Sequence, residues 1–269
     1  MTATNTLRLV AFEAGHLPDA HRLSQQADWP HRIQDWALNL SVSKGVVAIE
    51  GDRIVGTALC SPFGEVATLN MIIVDESMRG RGLGRALMTE VIAIAGDREM
   101  RLIATADGLP LYEKLGFKAT GQILQHQGIA CAATLELSVR IGNADDLRDR
   151  LRADHAATGC TRDQLLQKIA AEGDLLLTDG GFALLRKFGR GHVIGPIVAP
   201  DDAEARALLA FAAARCAGSF LRVDLRDGQG LGDFPAVLGL AHVGGGIAMT
   251  KNQQTTPPTS YALVSQALG

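Results

Sequence analysis

The segment from Met71 to Leu87 constrains the fold most. An apolar strand pattern ending at Val74 runs into the turn Arg79-Gly80-Arg81-Gly82-Leu83-Gly84, and a helical pattern opens at its far side. Glycines let backbone N–H groups approach a ligand closely, and a helix N-terminus adds a field that favours anions. Arg79 and Arg81 bring further positive charge to the same place. Such a junction suits a pyrophosphate. A Walker loop needs Gly-Lys-Ser/Thr at its end, which is absent. A G-x-G-x-x-G fingerprint starting at Gly80 and Gly82 needs glycine where Arg85 stands. The run fits R-x-x-G-x-G instead, as Arg79, Gly82 and Gly84. Taken alone, it fits an ordinary glycine-rich turn as well.

Around this junction the periodicities alternate. A strand is predicted over 7–12, helices over 17–26 and 31–40, and strands over 46–50 and 53–60 joined by the tight-turn pair Gly51-Asp52. In the second helix Ile33, Trp36, Ala37 and Leu40 fall on one face. A strand over 66–74, a helix over 84–95 capped by Gly96, a strand over 101–106, a short helix over 110–115 and a strand over 117–124 complete a mixed α/β unit.

After about residue 138 the same order begins again. Helices are predicted over 147–156 and 162–171, and a hairpin over 174–178 and 182–188 around Gly180-Gly181. A strand over 193–198, a helix over 203–217, a strand over 220–225, a short helix over 233–238 and a strand over 242–250 follow. Leu115-Gly116-Phe117 matches Leu238-Gly239-Leu240, and Gly84 to Leu87 matches Ala205 to Leu208. A repeat of this length points to two copies of one fold, since solenoid repeats run to ~20–50 residues. The tandem is divided as residues 1–135 and 136–269, each a mixed six- to seven-stranded sheet flanked by helices. The tail after Asn252 is expected to return to a sheet through Tyr261 to Val264.

With 47% hydrophobic and 20% charged residues, and a formal net charge of −3, the chain has the material for packed cores. Nothing in it favours nucleic acid or an acidic membrane as a partner. The four cysteines are scattered and read as reduced thiols, without metal-ligand spacing. No signal peptide is visible, and no apolar stretch approaches the ~20 residues of a membrane span. A cytoplasmic protein without a metal is expected.

Arg79 to Gly84 after an apolar strand resembles the acetyl-CoA signature of the GNAT superfamily. The segment from Ala104 to Phe117, with Leu-Pro-Leu-Tyr-Glu-Lys-Leu-Gly-Phe at its end, resembles that superfamily's second cofactor motif. The first-half resemblance covers about residues 5–128, and the whole chain is similar to YitH-like tandem GNAT proteins, in which a degenerate second copy follows the active one. The resemblance implies acetyl transfer from acetyl-CoA to an amine of a small molecule, amino acid or protein, by direct transfer in a ternary complex. Ile72, Ile73 and Val74 would pair with the pantetheine arm. Arg79, Gly80, Arg81, Gly82, Leu83 and Gly84 would cradle the pyrophosphate. Tyr112 matches the tyrosine that protonates the departing thiolate; a packed aromatic is its plainer reading. Thr105 stands roughly where many members carry asparagine. Glu65, Asp75 and His126 are the candidate bases, each also readable as a solvated surface group.

In this fold the connection between the first two helices walls the acceptor pocket. Asp28 and Trp29 lie there, and Trp29 is biased away from helix by Pro30. Asn70 is a further candidate to orient the acceptor or a water. In the second half the turn from Val198 to Ala205 offers acid instead of arginine and glycine, and Pro235 stands where Tyr112 does. Arg186 falls on the apolar face with Phe182, Leu184 and Phe188, so a buried partner such as Asp224 is expected. Expected partners are the amine acceptor and, in a homodimer, a second copy. The competing function is a non-catalytic acyl-CoA-binding sensor.

Overall fold

The computed structural model describes residues 7–134 and 137–269. The division expected between residues 135 and 136 falls outside the described residues. The first half runs β1 (Leu7–Ala11), α1 (Leu17–Gln26), α2 (Ile33–Leu40), β2 (Lys44–Glu50), β3 (Arg53–Phe63), β4 (Val66–Val74), α3 (Leu83–Ala95), β5 (Glu99–Ala104), α4 (Leu109–Lys114) and β6 (Lys118–Ile129). The second runs β7 (Arg140–Ile141), α5 (Ala144–Thr158), α6 (Asp163–Glu172), β8 (Asp174–Leu177), β9 (Phe182–Phe188), β10 (Gly191–Val198), α7 (Asp202–Arg215), β11 (Phe220–Arg226), α8 (Phe234–Val237) and β12 (Ala241–Lys251). Among the described residues no helix is long and apolar enough to cross a membrane.

Helical spacing explains how α3 docks. Leu83, Leu87, Met88, Val91 and Ala95 form one buried stripe against β2, β3 and β4. Burying each of the leucines contributes about 1.5–3 kcal/mol. The face expected for α2 is corrected by the structure. Trp36 is buried, but Ile33 and Ala37 are exposed, and Asp35 and Asn39 turn inward instead. The reason is polar: Asp35 receives Arg32 at 2.7 Å and the Gly189 N–H at 3.0 Å, while the Trp36 indole donates to Ser24 at 3.0 Å.

Among the described residues twelve strands join in one sheet, ordered β1-β2-β3-β4-β5-β12-β6-β11-β10-β9-β8-β7. The last strands of the halves are exchanged. β12 pairs with β5 of the first half, from Ile247 opposite Ala104 to Lys251 opposite Met100. β6 pairs with β11 of the second, from Ile129 opposite Phe220 to Ile123 opposite Arg226. β6 and β12 also pair with each other in the middle.

The repetition is visible in hydrogen bonds as well as in order. Phe117 N–H donates to the Tyr112 carbonyl at 3.0 Å, and Leu240 N–H donates to the Pro235 carbonyl at 3.0 Å. In β4, Met71 and Ile72 together oppose Ala58; in β10, Gly195 and Pro196 together oppose Leu184. The same bulge sits at the same place in both halves.

Candidate active site

β4 and β5 are parallel but pair only over Val66–Glu99, Ala67–Met100 and Thr68–Arg101. Beyond Thr68 they separate, and the bulge at Met71-Ile72 bends β4 further, with Met71 at φ 50°. The result is a V-shaped split whose arms are the ends of β4 and β5. α3 starts just past the end of β4, and α4 just past the end of β5.

The turn between β4 and α3 leaves a run of backbone N–H groups without acceptors among the described residues. Gly80 and Gly82 hold φ 74° and 80°, where a side chain would be strained. The N–H groups of Gly80, Arg81, Gly82, Leu83, Gly84 and Arg85 make no hydrogen bond among the described residues, and the first turn of α3 carries neither a side-chain cap nor an acid. A helix start left this way attracts anions. Arg79 is exposed; Arg81 is loosely held by Glu50 at 3.5 Å. Gly84 packs toward α4, where a Cβ would stand 3.3 Å from Leu111.

Below the split lies a cavity of about 300 Å³. It gathers residues distant in sequence: Asp28 and Trp29 from the α1–α2 connection, Asn70 and Ile72 from β4, Thr105 after β5, and Tyr112 from α4. Ile73 and Val74 lie further along β4 and do not line it. The Tyr112 ring is buried against Phe117, and desolvation pushes its hydroxyl up to about 12, so it keeps its proton across the neutral range. Thr105 accepts the Gly108 N–H at 3.3 Å, which secures the start of α4. The Asn70 amide donates to Ser61 at 2.9 Å and to the Thr68 carbonyl at 3.1 Å. Its Oδ1 is buried without a partner among the described residues.

None of the three candidate bases lines this cavity. Glu65 is exposed in the β3–β4 turn. Asp75 is locked by Arg53 at 2.6 Å and by Ser77, and its carboxyl is held below the usual range; burial opposes this and those hydrogen bonds outweigh it. His126 lies on β6 beside His242, with ring centroids 5.2 Å apart. Sequence reasoning missed His31, Arg222, Ser265 and Gln266, which do line it. His31 is forced down to about 4, chiefly by burial and with Arg222 and Arg186 adding to it, so its imidazole is neutral. His31 comes from the α1–α2 connection, Arg222 from β11, and Ser265 and Gln266 from the tail, and no local signal marks them.

Two family models match the chain. One for the Acetyltransferase (GNAT) family covers residues 10–117, and one for an Acetyltransferase (GNAT) domain covers residues 151–264. The uncharacterized N-acetyltransferase YitH of Bacillus subtilis (strain 168) is 30% identical over 97% of this chain and 98% of its own. The chain belongs to the GNAT acetyltransferase family. Solved GNAT structures share the fold of the whole chain. A candidate acetyltransferase from Pyrococcus horikoshii superposes with a TM-score of 0.86 at 17% identity, covering 100% of this chain and 98% of that one. A GCN5-related N-acetyltransferase from Sphaerobacter thermophilus gives 0.67 at 16% identity, over 94% and 98%.

The second GNAT domain repeats the split and then fills it. β10 and β11 pair only over His192–Leu221, Val193–Arg222 and Ile194–Val223 before separating. The tail enters the gap: Tyr261 N–H donates to the Ile197 carbonyl and Leu263 N–H to the Asp224 carbonyl, both at 2.9 Å. Ala262 thereby bridges both strands, as the pattern over Tyr261 to Val264 leads one to expect. The N-terminus of α7 is closed as well, since the Asp201 carboxylate accepts the Glu204 N–H at 3.0 Å. Tyr261 donates to Asp202 at 2.7 Å, so the tail's hydroxyl occupies the helix start. By bulge position Ile197 corresponds to Ile73.

The ion pair expected between Arg186 and Asp224 does not form. Arg222, two residues along β11, takes Asp224 at 2.9 Å. Arg186 reaches instead to Asp35 of the first domain at 3.5 Å and lies over the Phe188 ring at 4.9 Å.

Proposed function

We propose that the first GNAT domain transfers an acetyl group from acetyl-CoA to the amine of a small molecule, amino acid or protein, with both substrates bound together. The observation that carries this reading is the contrast between the two splits. The second is filled by the chain's own extended tail and its helix is capped; among the described residues no strand enters the first, and its helix start offers six N–H groups without acceptors. Tail pairing at Ile197 also supports an added strand at Ile72, Ile73 and Val74, which fits a pantetheine arm.

Bound acetyl-CoA supplies a thioester activated toward amines. Gly80 to Gly84 would hold its pyrophosphate through backbone N–H groups, with the exposed Arg79 side chain beside them. The bulge withdraws one residue of Met71-Ile72 from the β3 ladder and frees a backbone N–H to polarise the acyl oxygen. Tyr112, which lines the cavity, holds a proton at its hydroxyl and would give it to the departing thiolate, and the proton shed by the attacking amine would restore it. Asp28, Trp29 and Asn70 line the side from which the amine enters.

Calorimetric titration with acetyl-CoA and with CoA, beside a Gly82→Glu variant, tests the reading. Micromolar binding, about −8 kcal/mol, that disappears in the variant is expected, because the new carboxylate stands at the helix start. Absence of binding to the unaltered protein overturns it.

A further inference from the structure

The cavity below the split is electrically two-ended. Among the described residues lining it, Asp28 is the only acid and Arg222 the only permanent cation. Asp28 is exposed, whereas Arg222 is 6% exposed. The Nε and Nη2 of Arg222 are taken by Asp224, and its Nη1 makes no hydrogen bond among the described residues. Beside it, Arg186 lies against Asp35 at 3.5 Å, while Arg222 itself is paired with Asp224 at 2.9 Å. The Nε of Arg186 has no partner among the described residues. The inner end therefore presents a cationic N–H of Arg222 with no acceptor among the described residues, in a poorly solvated place, and an anion satisfies it.

Uncommitted polar atoms follow the same division. Ser265, 2% exposed, has an Oγ without a partner. A hydroxyl can donate to a carboxylate. The unpartnered atom of Asn70 is an acceptor, and its assignment is chemical: the Thr68 carbonyl can only accept, so Nδ2 must face it and Oδ1 is the atom left over. Arg222 and Ser265 thus offer donors, Asn70 an acceptor for an N–H, and Asp28 a negative rim.

We propose that the acceptor is a small amino acid-like zwitterion whose carboxylate is bound by Arg222 and Ser265 and whose amine lies at Asn70. The cavity, about 300 Å³, is at the small end of ligand sites and matches a small molecule in size. This proposal rests on the reading of the cavity as the acceptor side of an acetyl-transfer site.

The test pairs each of the common amino acids with its own amide, which keeps the amine and removes the negative charge. Binding to the CoA-loaded protein is measured by calorimetry, and transfer by release of the CoA thiol from acetyl-CoA. At least one acid should bind tenfold or more tightly than its amide. Ser265→Ala should narrow that ratio several-fold, mainly through the acid's KM. Arg222→Lys should narrow it further; because it disturbs a buried pair, the serine variant is the safer arm. A preferred acid that is bound but not acetylated would uphold the carboxylate site and remove the transfer reading. If every amide binds as well as its acid, with or without transfer, the proposal falls.

Discussion

Asp35 on α2 and Arg186 on β9 lie 3.5 Å apart across the two GNAT domains, with side chains only 1% and 6% exposed. The carboxylate is shared: Arg32 donates to it at 2.7 Å and the Gly189 N–H at 3.0 Å. Burial lowers Arg186 to about 10, so it remains a cation at neutral pH.

Removing one member of such a pair leaves the other charge buried. Asp35→Ala should therefore destabilise the chain by ~3–5 kcal/mol in urea denaturation, and Arg186→Met in the same background should recover much of the loss. Desolvation raises the Asp35 carboxyl, but the Arg32 and Gly189 hydrogen bonds outweigh it and the net shift is downward from 3.8. Its contribution is thus present above that value and is lost as pH falls below it. A loss under about 1 kcal/mol in the alanine variant would show that the pair does not hold the domains together.

His31 gives a second acid window in the same direction. The unfolded imidazole takes a proton near 6.5, the folded one only near 4. Between these values the unfolded chain binds more protons, so stability falls as pH drops, by roughly 3 kcal/mol across the window. His126 and His192 are lowered too and add to the slope. Urea midpoints at several pH values should fall less steeply in a His31→Gln variant; an unchanged slope removes His31 from the effect.

Tyr112→Phe keeps the ring packed on Phe117 and takes away the proton. Affinity for CoA should stay the same while kcat falls about 10²–10⁴-fold, the usual weight of general acid catalysis. Unaltered turnover would exclude Tyr112 as the donor. Binding without any turnover in the unaltered protein would favour an acyl-CoA-binding module instead.

The tail has a stability role that can be measured. Leu263 is 1% exposed and sits where the tail crosses the second split. Leu263→Ala should cost about 2–5 kcal/mol. Because Ser265 and Gln266 follow at the cavity wall, KM for the acceptor should rise more than kcat falls. A stable variant with unchanged kinetics would mean the tail is a passenger.

Local rules reach much of this arrangement. Strand and helix periods, the Gly51-Asp52 turn and the glycines before α3 are each decided within a few residues, and there the elements lie where periodicity puts them. α2 departs from its expected face because Asp35 and Asn39 are satisfied by groups elsewhere, which an apolar period cannot register. Arg186 shows the same limit. Its pattern demands a buried acid, but the choice of Asp35 over Asp224 depends on how the domains meet. The period-two signal of β6 and β12 marks each as a strand and is silent about its neighbours. Ser265 and Gln266 reach the cavity only because the tail first fills the second split.

That interchange of final strands sets a timetable for the nascent chain. Ala104 of β5 pairs with Ile247, so at ~5–20 residues per second the ribosome needs roughly 7–30 s after releasing the first before the second can join it. Throughout that interval the first domain holds an unpaired strand edge, the kind of surface that invites pairing with another molecule. Newly made chains of this tandem are therefore most exposed to aggregation late in translation, and slower synthesis across the second domain should lower the soluble yield.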